Sequence, residues 1–177
     1  MNSIRDNWLR LCASAAICLL LSACASGPSN ANYLAIGTRN LNPDESGHPL
    51  SLVIHIVQLK QNQAFSRLTP ADLTSGKSEK DLLSSEMIDS TELVLLPGSK
   101  SDINATISPD AKYIGVIGYF RQPDPYFWRL LFDADMVRVA GVNLLADRCF
   151  LRPTLPPRLD MPGQPKIFKP DCSMSSR

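Results

Sequence analysis

Dense turn signals cut this chain into short β-branched runs. Asn42-Pro43-Asp44-Glu45-Ser46-Gly47-His48-Pro49, Pro97-Gly98, Ser108-Pro109-Asp110 and Gln122-Pro123-Asp124-Pro125 all carry residues that set or satisfy turn backbone. Between them lie strand-like runs: Leu50 to Leu59, Thr91 to Leu96, Asp102 to Ile107 and Tyr113 to Phe120. A run starting at Tyr33 and ending at Thr38 precedes them. Tyr126 to Met136 reads as one further strand and Cys149 to Arg152 as a last one. LSLVIHIVQL, residues 50 to 59, is apolar on both faces, as expected of a central strand covered on two sides. Strands at this spacing predict a mainly β fold, a two-sheet sandwich. Gln61 to Ser84 breaks the pattern. Its apolar residues Phe65, Leu68, Leu73, Leu82 and Leu83 stand among helix formers. Thr69-Pro70-Ala71-Asp72 has the form of an N-cap with proline at the first helical position. One or two short helices are therefore predicted near 61–85, inserted after the second strand.

The start of the chain sets the compartment. Arg5 and Arg10 stand beside Asp6, then Leu11 to Leu21 is almost wholly apolar. That run is shorter than the roughly 20 residues a membrane span needs and has the layout of a secretory leader. Leu21-Ser22-Ala23-Cys24 resembles the bacterial lipobox. In such signals the Cys24 sulfur receives a diacylglycerol, cleavage falls before it, and the new amine is acylated. Several acyl chains, each adding about 0.8 kcal/mol per buried methylene, give a stable anchor. Ala25 in place of an aspartate favours, by resemblance to bacterial sorting rules, export to the outer membrane. Residues 1–23 are thus read as a removed signal peptide and 24–31 as a lipidated, flexible tether. The segment 32–153 is the sandwich, and 154–177 a proline-rich tail.

Removing Arg5, Arg10 and Asp6 with the leader takes the formal charge from +1 to zero. No basic excess remains to neutralise phosphates, which argues against nucleic acid as a partner. Two cysteines besides Cys24 survive cleavage, Cys149 and Cys172. An oxidising periplasm favours pairing them, tying the tail back to the strand with Cys149; two unrelated thiols are the alternative. Their spacing fits no zinc pattern, and His48 and His55 are the only histidines.

Catalytic signatures are missing. Ser75-Gly76-Lys77-Ser78 lacks the upstream glycine of a phosphate loop, since Ala71 stands there. His55, on one face with Val53 and Val57, reads as a half-buried core histidine. Asp133 and Asp135 share a face of their strand and read as its solvent side, with paired acid–base carboxylates as the alternative. Tyr126-Phe127-Trp128 reads as core packing, with a binding surface as the alternative. No catalytic residue, metal or cofactor is expected beyond a covalent lipid on Cys24.

The order of motifs resembles the TssJ family, outer-membrane lipoproteins of type VI secretion systems. Leu41-Asn42-Pro43-Asp44, Gly47-His48-Pro49, Ile56-Val57-Gln58-Leu59-Lys60 and Phe65 come first. Leu96-Pro97-Gly98, Tyr113 to Arg121 and Trp128-Arg129 follow in the same order. The resemblance spans Asn32 to Arg129 and does not extend to the tail. It implies a transthyretin-like sandwich and a non-enzymatic role: binding the periplasmic C-terminal region of the TssM inner-membrane protein. Asp44, Glu45 and His48, in a loop between the first two strands, are the side chains placed to reach that partner. Two other readings compete. A generic periplasmic ligand-binding lipoprotein would show a polar-lined cleft. A lipid-anchored hydrolase would bring Asp133 and Asp135 together in one. For the expected role no small-molecule substrate is needed.

Overall fold

The structure, a computed structural model, describes residues 27–173. Eight strands form two four-stranded sheets. The first has the order β4-β1-β7-β8, from β4 (Lys100–Ile107), β1 (Ser29–Gly37), β7 (Val142–Asp147) and β8 (Phe150–Leu155). The second runs β3-β2-β5-β6, from β3 (Met87–Leu95), β2 (Leu52–Leu59), β5 (Tyr113–Gly118) and β6 (Arg129–Asp133). All pairings are antiparallel except β1 with β7. Alternation explains which faces meet. Ala31, Tyr33 and Ala35 of β1 are buried, as are Val142, Leu144 and Ala146 of β7. They pack with Leu52, Ile54 and Ile56 of β2 in one core. Gln58 on that face is buried but satisfied across the sandwich, donating to the Thr106 carbonyl at 2.8 Å and accepting from Ser108 N–H at 2.8 Å.

The other face of β2 is covered too, as its two-sided apolarity predicts. Three short helices lie over it: α1 (Gln63–Arg67), α2 (Pro70–Leu73) and α3 (Glu79–Leu83), followed by a 3-10 turn at Ser84–Glu86. Each is too short to be stable alone. Caps and burial hold them. Thr69 and Asp72 form a capping box at α2 with Pro70 at the first position, and Ser78 and Asp81 form another at α3. Phe65, Leu68 and Leu83 are buried beneath.

Several boundaries differ from the sequence reading. β1 starts at Ser29, so part of the expected tether is strand; Asn30 and Asn32 point outward while Ala31 points in. The strand expected over Tyr126 to Met136 is instead β6 followed by helix α4 (Ala134–Ala140). Asp133 accepts hydrogen bonds from Asp135 and Met136 N–H, which ends the strand and starts a helix. Gly141 ends it at φ +68, where an added Cβ would lie 2.5 Å from the Asn32 carbonyl oxygen. That close approach delivers β7, an element the sequence reading lacks, alongside β1.

Between Pro156 and Ser173 the proline-rich tail has no strand or helix but is anchored at several points. Leu159 N–H donates to the Leu131 carbonyl at 2.7 Å along the β6 edge. The Phe168 ring sits 4.5 Å from that of Phe127 and 5.5 Å from that of Phe150, centroid to centroid. Asp171 N–H donates to Asp124 Oδ2 at 2.6 Å. Cys172 is disulfide-bonded to Cys149, with Cα atoms 5.7 Å apart. Cys149 lies in the β7–β8 turn rather than in a strand. Among the described residues no helix is long and apolar enough to cross a membrane.

Candidate docking surface

The loop from Asn42 to Pro49 joins β1 to β2 at one end of the sandwich. Asn42 is its hidden foundation. It is buried at φ +46, a backbone state that asparagine tolerates better than most residues. Its side chain donates to the Ser51 carbonyl at 2.7 Å and accepts from Arg121 N–H at 2.8 Å, while its own N–H donates to the Arg148 carbonyl at 2.9 Å. One residue thus fastens the loop to Ser51 just before β2, to the β5–β6 loop and to the β7–β8 turn. The sequence reading did not single it out, although an asparagine before proline in a turn-rich run is a usable signal.

Beyond that base the loop is exposed. Asp44 turns back on it: Oδ1 accepts from Ser46 N–H at 2.8 Å and His48 N–H at 2.9 Å. These bonds, the one from His48 N–H first, hold its carboxyl below the usual carboxylate range. Asp44 therefore shapes the loop, and Glu45 and His48 project from it. The His48 side chain is 77% exposed. His48 Nδ1 lies 3.4 Å from Asp44 Oδ2, so a braced base and an exposed tip are combined, as a recognition loop requires.

The other candidates resolve differently. Asp133 and Asp135 do not converge: Asp133 caps α4 and Asp135 pairs with Arg138 at 2.5 Å. Ser78 caps α3 rather than cradling a phosphate. Phe127 and Trp128 are fully buried, whereas Tyr126 is 45% exposed. His55 has charged partners on both sides. Its Nδ1 is 2.9 Å from Glu79 Oε1 of α3 and its Nε2 is 3.4 Å from Glu92 Oε2 of β3. Tyr119 O–H donates to the same Glu79 oxygen at 2.8 Å. The contact with Glu79 raises the His55 pKa, against the opposing effect of burial. A proton held more tightly in the folded state stabilises it. That contribution is complete below the unfolded value of about 6.5 and is lost as pH rises through the higher folded value. His55→Gln is therefore expected to cost more stability at about pH 5.5 than at about pH 8.5. Urea unfolding of both proteins at the two pH values measures the difference, and an equal cost would contradict it.

Residues 30–149 match the model of the type VI secretion lipoprotein family (VasD, EvfM, TssJ). The chain belongs to that family. It is a family of secretion-system lipoproteins, not of enzymes. No curated protein sequence matches the chain. Solved family structures share its fold. The lipoprotein TssJ1 from Pseudomonas aeruginosa superposes with a TM-score of 0.61 at 20% identity, covering 73% of this chain and 98% of that one. Serratia marcescens Lip, a membrane-bound component of the type VI secretion system, gives 0.61 at 21% identity over 71% and 97%. A chain of a type VI membrane complex gives 0.64 at 24% identity over 72% and 98%. The family match ends at Cys149, so β8 and the anchored tail lie beyond it.

Proposed function

We propose that this family member is held at the periplasmic face of the outer membrane by acyl chains on Cys24. There its β1–β2 loop docks the periplasmic C-terminal region of a TssM-type inner-membrane protein. Cys24 lies outside the described residues; its lipidation rests on the lipobox resemblance and on membership of a lipoprotein family. A chain similar in fold also occurs in a structure of the TssM C-terminal domain from EAEC, with a TM-score of 0.60 at 23% identity. The observation that carries the proposal is the loop itself, exposed at its tip and tied down by Asn42 and Asp44 at its base. The role needs neither cofactor nor small-molecule substrate.

Deleting Glu45 to Gly47 removes the tip and spares the Asn42 anchor. The deletion is expected to weaken binding to the partner's periplasmic fragment at least tenfold, about 1.4 kcal/mol, with little change in thermal stability. Calorimetric titration reads the affinity. Unchanged affinity in a folded deletion variant would place the interface elsewhere.

A further inference from the structure

Arg129 begins β6 on the face covered by the insertion, in register with Ile117 and, through it, His55. It is only 8% exposed. A buried guanidinium ordinarily has a carboxylate partner, because removing its charge from water is costly. Here none lies within ion-pair distance. Its Nη2 donates to the Ser66 carbonyl at 3.0 Å, and its Nε is buried without a hydrogen-bond partner. Asp72, whose charge acts on Arg129, is held by the α2 cap: its Oδ2 accepts from Thr69 N–H and O–H, both at 2.7 Å. Burial lowers the Arg129 pKa to about 10, against the smaller opposing effect of the Asp72 charge. The group stays cationic at neutral pH; its Cζ lies over the Trp128 ring, 4.7 Å from the centroid, and that cation–π contact is its partner in place of a paired carboxylate.

Arg129 lines an open pocket of about 240 Å³. The insertion supplies one wall with Arg67 and Pro70, and the β5–β6 loop another with Pro125 and Tyr126. The tail closes the third side with Pro162 and Gln164. Gln164 is fixed there, donating to the Tyr126 carbonyl at 2.8 Å. No lining residue is acidic, and two are arginines. The volume is below the roughly 300–1,000 Å³ of pockets that enclose a whole small molecule, and suits one side chain. Proline and tyrosine walls offer apolar contact to a chain passing over the mouth.

We propose that this pocket receives the carboxylate of an acidic side chain from a protein partner, with Arg129 as the charged anchor. A charge-assisted bond to the part of the guanidinium that faces the pocket would neutralise the charge, and the buried Nε–H beside it would report the event. The tail wall lies outside the family match, whereas Arg129 and the other two walls lie within it. It lies apart from the β1–β2 loop and stands or falls independently of that loop's role.

The test follows the Arg129 Nε–H resonance in the whole expressed chain by ¹H–¹⁵N NMR. The probes are N-acetyl-glutamate methylamide, N-acetyl-glutamine methylamide and propionate. Blocked glutamate is expected to shift the resonance saturably. Blocked glutamine and propionate are each expected to bind at least about tenfold more weakly, as is blocked glutamate to a folded Arg129→Lys variant. A resonance that does not move saturably with blocked glutamate overturns the proposal. So does equal binding of blocked glutamine. Propionate binding as tightly as blocked glutamate would make this a site for free small carboxylates and overturn the protein-docking assignment. The wild-type titration decides the matter even if the variant fails to fold.

Discussion

Phe65→Ala should be among the most damaging single changes in this protein, costing about 3–5 kcal/mol of stability. The ring is fully buried. It lies directly on Gly115 of β5, where an added Cβ would come within 2.4 Å of the ring and 2.7 Å of a Val57 methyl. The absence of a side chain at 115 is what lets an aromatic ring come this close to the sheet. The ring is the largest side chain the insertion buries, Leu68 and Leu83 being the others, and its helices are each five residues or shorter. Losing the ring leaves a cavity and loosens all three helices. Gly115→Val should cause comparable damage from the other side by filling the seat. Urea unfolding of the two variants measures both losses. A cost below about 1 kcal/mol for Phe65→Ala would mean that the insertion is fastened by something other than this contact.

Removing the disulfide is expected to cost about 3 kcal/mol. Cys149 and Cys172 are 23 residues apart in sequence, so the bridge closes a loop long enough to restrict the unfolded chain substantially. In the folded state the bridge lies at the end of a series of anchors: the Phe127–Phe168–Phe150 ring cluster, Arg152 over the Phe168 ring at 4.7 Å, and Asp124. Asp124 is 1% exposed and accepts from Tyr126, Phe127 and Asp171 N–H, at 2.8, 2.7 and 2.6 Å. These contacts should keep a Cys149→Ala/Cys172→Ala double variant folded, with a tail that exchanges its amide protons faster. Thermal unfolding with and without the bridge gives the magnitude. A difference under about 1 kcal/mol would show that the aromatic cluster and Asp124 hold the tail unaided.

What the sequence made legible, and what it did not, follows from how local each signal is. The run from Leu50 to Leu59 announced a strand buried on both faces, and it is β2 at the centre of its sheet. The Thr69-Pro70 start of α2 was equally local, since both the cap and the proline act within one turn. α4 was missed because Tyr126 to Met136 was read as one strand with Asp133 and Asp135 on its solvent side, while the hydrogen bonds that the Asp133 carboxylate accepts from Asp135 and Met136 N–H are visible only in the fold. β7 is short and pairs in parallel with a strand more than a hundred residues earlier, a contact no local pattern encodes. At the candidate site, exposure of the loop was readable from its polar, proline-rich composition. Its bracing was not: Asp44 was assigned to a partner and is spent on Ser46 and His48 N–H, while buried Asn42 went unnoticed. Arg129 sat in a recognisable strand position, but its lack of a carboxylate becomes apparent only when its neighbours are in place.

The central claim is that the end of the sandwich bearing the β1–β2 loop faces the inner-membrane partner. In-cell photo-crosslinking tests it most directly, because it reports contact in the intact envelope. A photoreactive residue at Glu45 or His48, both at the exposed tip, is expected to give an adduct with the TssM-type protein. The same residue at Val139, 90% exposed on α4 at the opposite end of β6, is expected to give none. Adducts from Val139 with none from Glu45 or His48 would contradict the account and turn the domain end for end.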